Sequence, residues 1–356
     1  MTKLQSPASN GLDGIVVADT KISDVDGARG RLVIAGADVE HLAGSVPFVE
    51  VARRVLAAGG LELGDLGKAR AHAFELLPRL GDALDIDDGM AALRAALAHV
   101  RATGDLAADA LAVIGAAPVF VAAWYRGRGG NPAIPPDATL DHAADYLRML
   151  GAPAVPMFEA ALDTYLVAVI DHGMNASTFA SRVVAATRSD LVSSVVAGVG
   201  ALKGPLHGGA PGPVLDMLDA IDAPDNAEPW LRAELAAGRR IMGMGHRVYR
   251  VRDPRAAVLE TAIAKLGLDS PRLALAKAIE AAATKILAER YPERPMGANV
   301  ELNTAILLDA IGLPRELFSP TFAIARIVGW CAHVAEQRAI DKIIRPASRY
   351  VGALPA

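Results

Sequence analysis

The stretch AGVGALKGPLHGGAPGPVLDML, residues 197–218, can be read in two incompatible ways, and the choice between them decides the fold. Its first half, AGVGALKG (197–204), imitates the glycine pattern of dinucleotide-binding α/β domains, and Asp216 and Asp219 lie about 20 residues downstream, where such a fold carries its ribose-binding acid. That reading requires the acids to end a second strand. Here they fall inside VLDMLDAID (214–222), whose apolar residues recur at helical spacing. The alternative is two helices joined by a tight loop around His207. Gly204-Pro205 suits the end of the first helix and Gly212-Pro213 the start of the second.

The helical reading extends in both directions. PFVEVARRVLAAGG (47–60), KARAHAFELLPRL (68–80) and DDGMAALRAALAHVRATG (87–104) repeat apolar residues three and four apart. Glycine, proline or aspartate breaks them at ordinary helix lengths. Asp253-Pro254, Ser270-Pro271 and Ser319-Pro320 mark further helix starts with proline in first position. Only residues 15–34 (IVVADTKISDVDGARGRLVI) read as strands, a small hairpin. Strand–helix alternation is missing, so the expectation is an all-α fold with a small N-terminal β-hairpin.

At 356 residues the chain exceeds a typical single core, which predicts about two domains. Hydrophobic residues make up 52% and charged residues 21%, the composition of a folded globular chain. A formal charge of −4 argues against nucleic acid as the main partner. Cys331 is the single cysteine, so no disulfide forms within the chain and a reducing compartment fits. The opening MTKLQSPASNGLDG has no apolar core of a secretion signal, and apolar runs such as 191–202 stop short of a membrane span. A cytoplasmic location without membrane contact is expected.

Five polar constellations interrupt the helices. His207 sits among glycines near a helix N-terminus, which lets a ligand approach closely and disfavours the imidazolium. A histidine kept neutral can donate a hydrogen bond to a carbonyl gaining negative charge. IMGMGHRVYRVRDPRA (241–256) puts Gly243 and Gly245 before His246, with four arginines following. Arg247 and Arg252 read as a solvated basic face. Arg255, by contrast, opposes the dipole of the helix it opens and invites an anion. In MGANVELNTAILLDAIGLP (296–314), Asn299 is expected to cap a helix carrying Glu301 in its first turn. A carboxylate there stays ionised and can act as a base. Arg326 lies in an apolar helical half and predicts a carboxylate partner from the protein or a ligand. His172, in DHGMNASTFASR (171–182), precedes Gly173, with Asn175, Ser177 and Thr178 available as caps or ligand contacts. No HExxH, GxSxG or GxxxxGK[ST] sequence occurs, and His172, His207 and His246 lack the short spacing of zinc ligands.

With these segments in this order, the chain resembles the citrate synthase family, including its 2-methylcitrate synthase branch. The stretches that carry the likeness are DHGMNASTF, ALKGPLHGGA, MGMGHRVY followed by DPRA, NVELNTAILLDAIGLP, FAIARIVGWCAHVAEQ and the Arg-Pro of IIRPASRY. The similarity is dense from about residue 139 onward and looser before it. It implies a two-domain all-α enzyme joining acetyl-CoA to oxaloacetate to give citrate and CoA. The large domain would comprise 1–207 and 315–356, and the small domain 208–314. The family's catalytic positions fall on His207, His246 and Glu301, and its oxaloacetate contacts on His172, Arg255 and Arg326. Arg345 would reach across from the second subunit of a homodimer. Gly243, Gly245 and Arg250 would lie near CoA. The resemblance implies no permanently bound cofactor and no metal; acetyl-CoA, or propionyl-CoA, is a co-substrate. Where the family usually has NVD this chain has NVE, and Pro211, Leu302 and Asn303 replace residues near the acyl pocket. Two alternatives stay open: propionyl-CoA as substrate, giving 2-methylcitrate, or a catalytically weak paralogue that binds CoA or tricarboxylates.

Overall fold

The computed structural model describes residues 12, 14–207, 211–245, 249, 251–268, 271–293 and 296–353. Near the N-terminus, β1 (Ser23–Asp26), β2 (Arg31–Ile34) and β3 (Ala37–Asp38) form an antiparallel sheet in the order β1-β2-β3. Ser23 pairs with Ile34 and Asp26 with Arg31, so the turn is GARG (27–30), closed by the Asp26 carboxylate accepting the N–H groups of Ala28 and Arg29. This register corrects the expected hairpin. The β-branched run 15–17 falls outside the ladder, and a third short strand follows the turn at Gly36.

Helices follow: α1 (Val39–Leu42), α2 (Phe48–Ala58), α3 (Leu66–Leu76), α4 (Gly89–Leu97), α5 (Leu106–Arg128), α6 (His142–Leu150), α7 (Pro156–Val169), α8 (Ala176–Ala185) and α9 (Leu191–Leu202). Then come α10 (Pro211–Ile221), α11 (Ala227–Ala236), α12 (Pro254–Lys265), α13 (Pro271–Arg290), α14 (Val300–Ala310) and α15 (Phe318–Ile340). Helix α2 shows the rule behind most of them. Phe48, Val51, Ala52, Val55 and Leu56 are buried at positions one face apart, while Arg53 and Arg54 pair with Glu50 in solvent.

Two expected helix starts shift. Helix α10 begins at Pro211 and α15 at Phe318, so Pro213 and Pro320 stand third, not first. The first-turn N–H groups have no intrahelical partner in any case, so proline is tolerated throughout that turn. For α15, a 3-10 turn at Arg315–Leu317 feeds directly into the helix.

Helix α15 is the axis of the core and packs against α2, α5, α7, α8 and α9. Ile324, Ile327 and Val328 are fully buried on it, each contributing about 1.5–3 kcal/mol of apolar burial. Gly198 of α9 permits a close approach here: a Cβ would lie 2.8 Å from the Trp330 ring and 2.5 Å from Ser181 Oγ. The helices over 106–128 and 315–340 are also long and apolar enough to cross a membrane by length and composition. Most of each is buried against other helices, as core helices are. Among α10–α14, α12 and α10 pack on α14, and α11 packs on α13. Helix α12 also touches α7 and α1.

Candidate active site

The loop bearing His207 is set by helix ends. Helix α8 is capped by Asn175, whose side-chain oxygen accepts the N–H groups of Ser177 and Thr178, both at 3.1 Å. Capping fixes Ser177 on the first turn, where its Oγ lies 2.7 Å from His207 Nε2 and 3.2 Å from Trp330 Nε1. The indole can only donate, so Ser177 accepts from Trp330. The single hydroxyl proton has two acceptors in reach, His207 Nε2 and Asn175 Oδ1 at 2.7 Å. When it turns to His207, the ring proton resides on Nδ1. Burial, reinforced by the charge of Arg326, lowers the His207 pKa to about 4, so the ring is neutral near pH 7.

Glu301 occupies the first turn of α14, as expected, and its backbone N–H is capped by Asn299 Oδ1 at 2.9 Å. The cap residue is itself held by the glycine turn at 243–245. Asn299 N–H donates to Gly243 O at 3.0 Å, its Nδ2 to Gly245 O at 2.9 Å, and Gly245 N–H bonds Gly297 O at 2.8 Å. Gly243 and Gly245 have φ of +73° and +76°, and a Cβ on Gly243 would lie 2.9 Å from Leu302 Cβ. The two glycines, expected beside CoA, thus act in the single chain as the mount for the Glu301 helix.

The surroundings of Glu301 pull its pKa both ways. Burial raises its pKa above the ordinary value of 4.5, while Asn299, Arg255 and Arg240 pull it back. Desolvation is the largest of these influences.

Arg255 is buried, as is its partner. Its Nε and Nη2 grip Asp253 at 3.0 and 2.7 Å, and Asp253 also caps α12 through the Arg255 N–H. The anion invited by this first-turn arginine is therefore met first by a residue two positions away. Arg326 is 1% exposed. The carboxylate expected to bond it is not the partner found: Nε donates to Val169 O at 2.8 Å and the guanidinium lies 4.6 Å from the Phe322 ring centroid. Nη2 is buried without a hydrogen-bond partner among the described residues. Burial, with the like charge of Arg255 adding to it and Asp171 opposing, lowers the Arg326 pKa to about 10.

His172 Nε2 lies 3.1 Å from the hydroxyl of Tyr249, with the rings edge-on at 5.6 Å. Sequence reading missed Tyr249, although it stands in the same MGMGHRVY stretch as His246. Arg345 lies exposed on the segment after α15 and makes no ion pair among the described residues. His246, Arg247 and Arg250 lie outside the described residues. Arg252 pairs with Glu260 at the surface. Among the described residues, no group of three or more His, Cys, Asp or Glu side chains could hold a metal ion.

The structure thus brings four expected residues into one electrostatic neighbourhood. Arg326 acts on His207 and on Arg255, and Arg255 acts on Glu301. They come from the α9–α10 loop, α12, α14 and α15, separated by up to 119 positions in sequence. A neutral imidazole, a buried carboxylate and two buried guanidiniums make a site for acid–base chemistry on a small anionic ligand.

Known proteins share this fold. The family model described as citrate synthase, C-terminal domain, matches residues 11–347. A protein named putative citrate synthase 2 from Mycobacterium tuberculosis is 37% identical over 355 residues, covering 97% of this chain and 93% of its own. The crystal structure of citrate synthase from Thermotoga maritima superposes with a TM-score of 0.85 at 33% identity, over 98% of this chain and 96% of that one. Citrate synthase from the archaeon Thermoplasma acidophilum, solved as a ternary complex with carboxymethyl coenzyme A and oxaloacetate, gives a TM-score of 0.89 at 26% identity, over 99% and 98%. The chain belongs to the citrate synthase family, enzymes that bind oxaloacetate and an acyl-CoA and need no metal cofactor.

Proposed function

We propose that the protein condenses acetyl-CoA with oxaloacetate to give citrate and free CoA. The observation that carries this reading is the coupling of His207, Arg326, Arg255 and Glu301 from separate segments. The methyl group of a thioester is a weak acid, and its enolate is unstable in water. Glu301 takes the methyl proton while a ring N–H of neutral His207 donates to the thioester oxygen, holding the charge that develops there. Ser177 favours this arrangement by keeping the His207 proton on Nδ1.

The enol carbon then attacks the ketone carbon of oxaloacetate. The new carbon–carbon bond forms as the carbonyl π electrons move to oxygen, which takes a proton from His246, a role carried by the resemblance alone. Water cleaves the citryl thioester, releasing citrate and the CoA thiol. Arg255 and Arg326 hold the oxaloacetate carboxylates and His172 the keto group; a guanidinium grips a carboxylate at two points and fixes the ketone for attack. Arg345 completes the site from the second subunit of a homodimer. Residues 208–314 form a small domain that closes on 1–207 and 315–356 and expels water.

The test is release of free thiol from acetyl-CoA in the presence of oxaloacetate. No thiol from acetyl-CoA or propionyl-CoA rejects the condensing reading; stabilisation by CoA or citrate without thiol release favours the catalytically weak paralogue. The departures at Leu302, Asn303 and Pro211 favour a comparison of the two acyl substrates. One methylene is worth about 1–3 kcal/mol of discrimination, so the ratio of kcat/KM values decides between citrate and 2-methylcitrate.

A further inference from the structure

Behind the residues assigned to oxaloacetate lies a buried polar cluster that the reaction does not use. Asp171, immediately before His172, is fully buried. Its Oδ2 accepts the Ser23 hydroxyl of β1, and the Gly173 N–H donates to Ser23 Oγ at 3.0 Å and to Asp171 Oδ2 at 3.1 Å. The residues on both sides of His172 are therefore pinned to one strand of the N-terminal sheet.

The other side of the carboxylate faces α15. His333 Nε2 lies 3.3 Å from Asp171 Oδ1 and 3.5 Å from Oδ2. Its Nδ1 is 3.0 Å from Arg182 Nη1, and Arg182 also bonds Glu336 at 2.6 Å. A guanidinium only donates, so His333 Nδ1 accepts and Nε2–H points to Asp171. Arg326, Gly329 and His333 stand at i, i+3 and i+7 on α15, one face of the helix. A Cβ on Gly329 would lie 2.5 Å from Asp171 Oδ1, so this face is cut away to admit the carboxylate. Arg326, with its unpartnered Nη2, feels the Asp171 charge favourably.

We propose that Ser23 and Asp171 are positioning residues for the keto-acid pocket: together they clamp the 171–173 turn so that His172 is aimed at the ligand, and Asp171 supplies the negative charge behind Arg326. This rests on the condensing reading above. A purely structural cluster would change stability and leave the substrates' KM values alone. A positioning cluster acts on one substrate, because it touches the oxaloacetate residues and not Glu301 or His207.

The experiment compares steady-state kinetics of the full-length wild-type chain, Ser23→Ala, Ser23→Thr and Asp171→Asn, varying oxaloacetate and acetyl-CoA separately, with thermal unfolding of each. Ser23→Ala is expected to raise the oxaloacetate KM by about 5- to 10-fold, the loss of one buried hydrogen bond, with the acetyl-CoA KM within about 2-fold. Ser23→Thr, which keeps the hydroxyl, restores it. Asp171→Asn is expected to raise the same KM by about 10- to 100-fold, as for a charged hydrogen-bond partner. Unchanged oxaloacetate KM in active variants, equal increases for both substrates, or loss of folded protein in both Ser23→Ala and Asp171→Asn overturns the positioning role. A wild-type chain that releases no thiol overturns the condensing reading itself, and the inference with it.

Discussion

Shortening the base by one carbon is the most direct test of how the site works. Glu301 stands where the family usually carries aspartate, and its helix start is pinned by Asn299 to Gly243 and Gly245, at 3.0 and 2.9 Å. Because that mount is backbone-bonded, α14 cannot advance freely to compensate, and Glu301→Asp withdraws the carboxylate by about 1.5 Å, one carbon–carbon bond. Misplacement of about 1 Å costs roughly a hundredfold in rate. Glu301→Asp is therefore expected to lower kcat about 100-fold, and Glu301→Gln, which has no base, by about 100- to 10,000-fold. Oxaloacetate affinity, carried by other residues, should hold within a few-fold. The pH profile adds a second reading. A base must be deprotonated, and burial raises the Glu301 pKa, so activity should fall on the acid side at a pH above 4.5. Thiol release followed across pH, with oxaloacetate binding by calorimetry, measures each quantity. A Glu301→Gln enzyme with wild-type kcat, or a Glu301→Asp enzyme at least as fast as wild type, would refute the assignment of the base and its reach.

Three further outcomes follow from the geometry. Ser177→Ala removes the hydroxyl 2.7 Å from His207 Nε2 and is expected to reduce kcat by about 5- to 30-fold with little change in oxaloacetate binding; an unchanged kcat would dismiss its control of the His207 tautomer. Asp145→Ala leaves buried Arg70 without the carboxylate 2.6 Å away and should destabilise the fold by about 3–5 kcal/mol in denaturant titration. A loss under about 1 kcal/mol would show that Arg70 finds water instead. Gly243→Ala forces φ of +73° on an L-residue and a contact with Leu302; a cost of about 1–3 kcal/mol and lower kcat are expected, and an unchanged kcat would remove Gly243 from the mount of Glu301.

The local signals in the sequence were the reliable ones. Asp253, Asn175 and Asn299 cap their helices because side chain and amide are two or three residues apart, a relation a sequence displays directly. The class of fold followed from apolar periodicity, as in α2, for the same reason. What escaped detection depends on tertiary approach. Ser23 reaches Asp171 across 148 positions and Arg182 reaches His333 across 151, and no spacing rule spans such gaps. The third strand escaped because two residues, Ala37 and Asp38, carry no alternation. Arg326 was expected to find a carboxylate because a buried cation is costly. Within the chain it bonds only the Val169 carbonyl and keeps Nη2 open, so the protein half of that expectation fails and the ligand half stays open.

Arg255 and Arg326 feel one another's charge inside the protein. Two guanidiniums repel one another in a dry interior, and only one of them has a carboxylate bonded to it. Any small dianion that bridges them binds the native chain and not the unfolded one, raising stability by about 2.7 kcal/mol at a hundred times its Kd. Such a ligand would protect the fold against heat and proteolysis, which unfolding with and without a dicarboxylate measures.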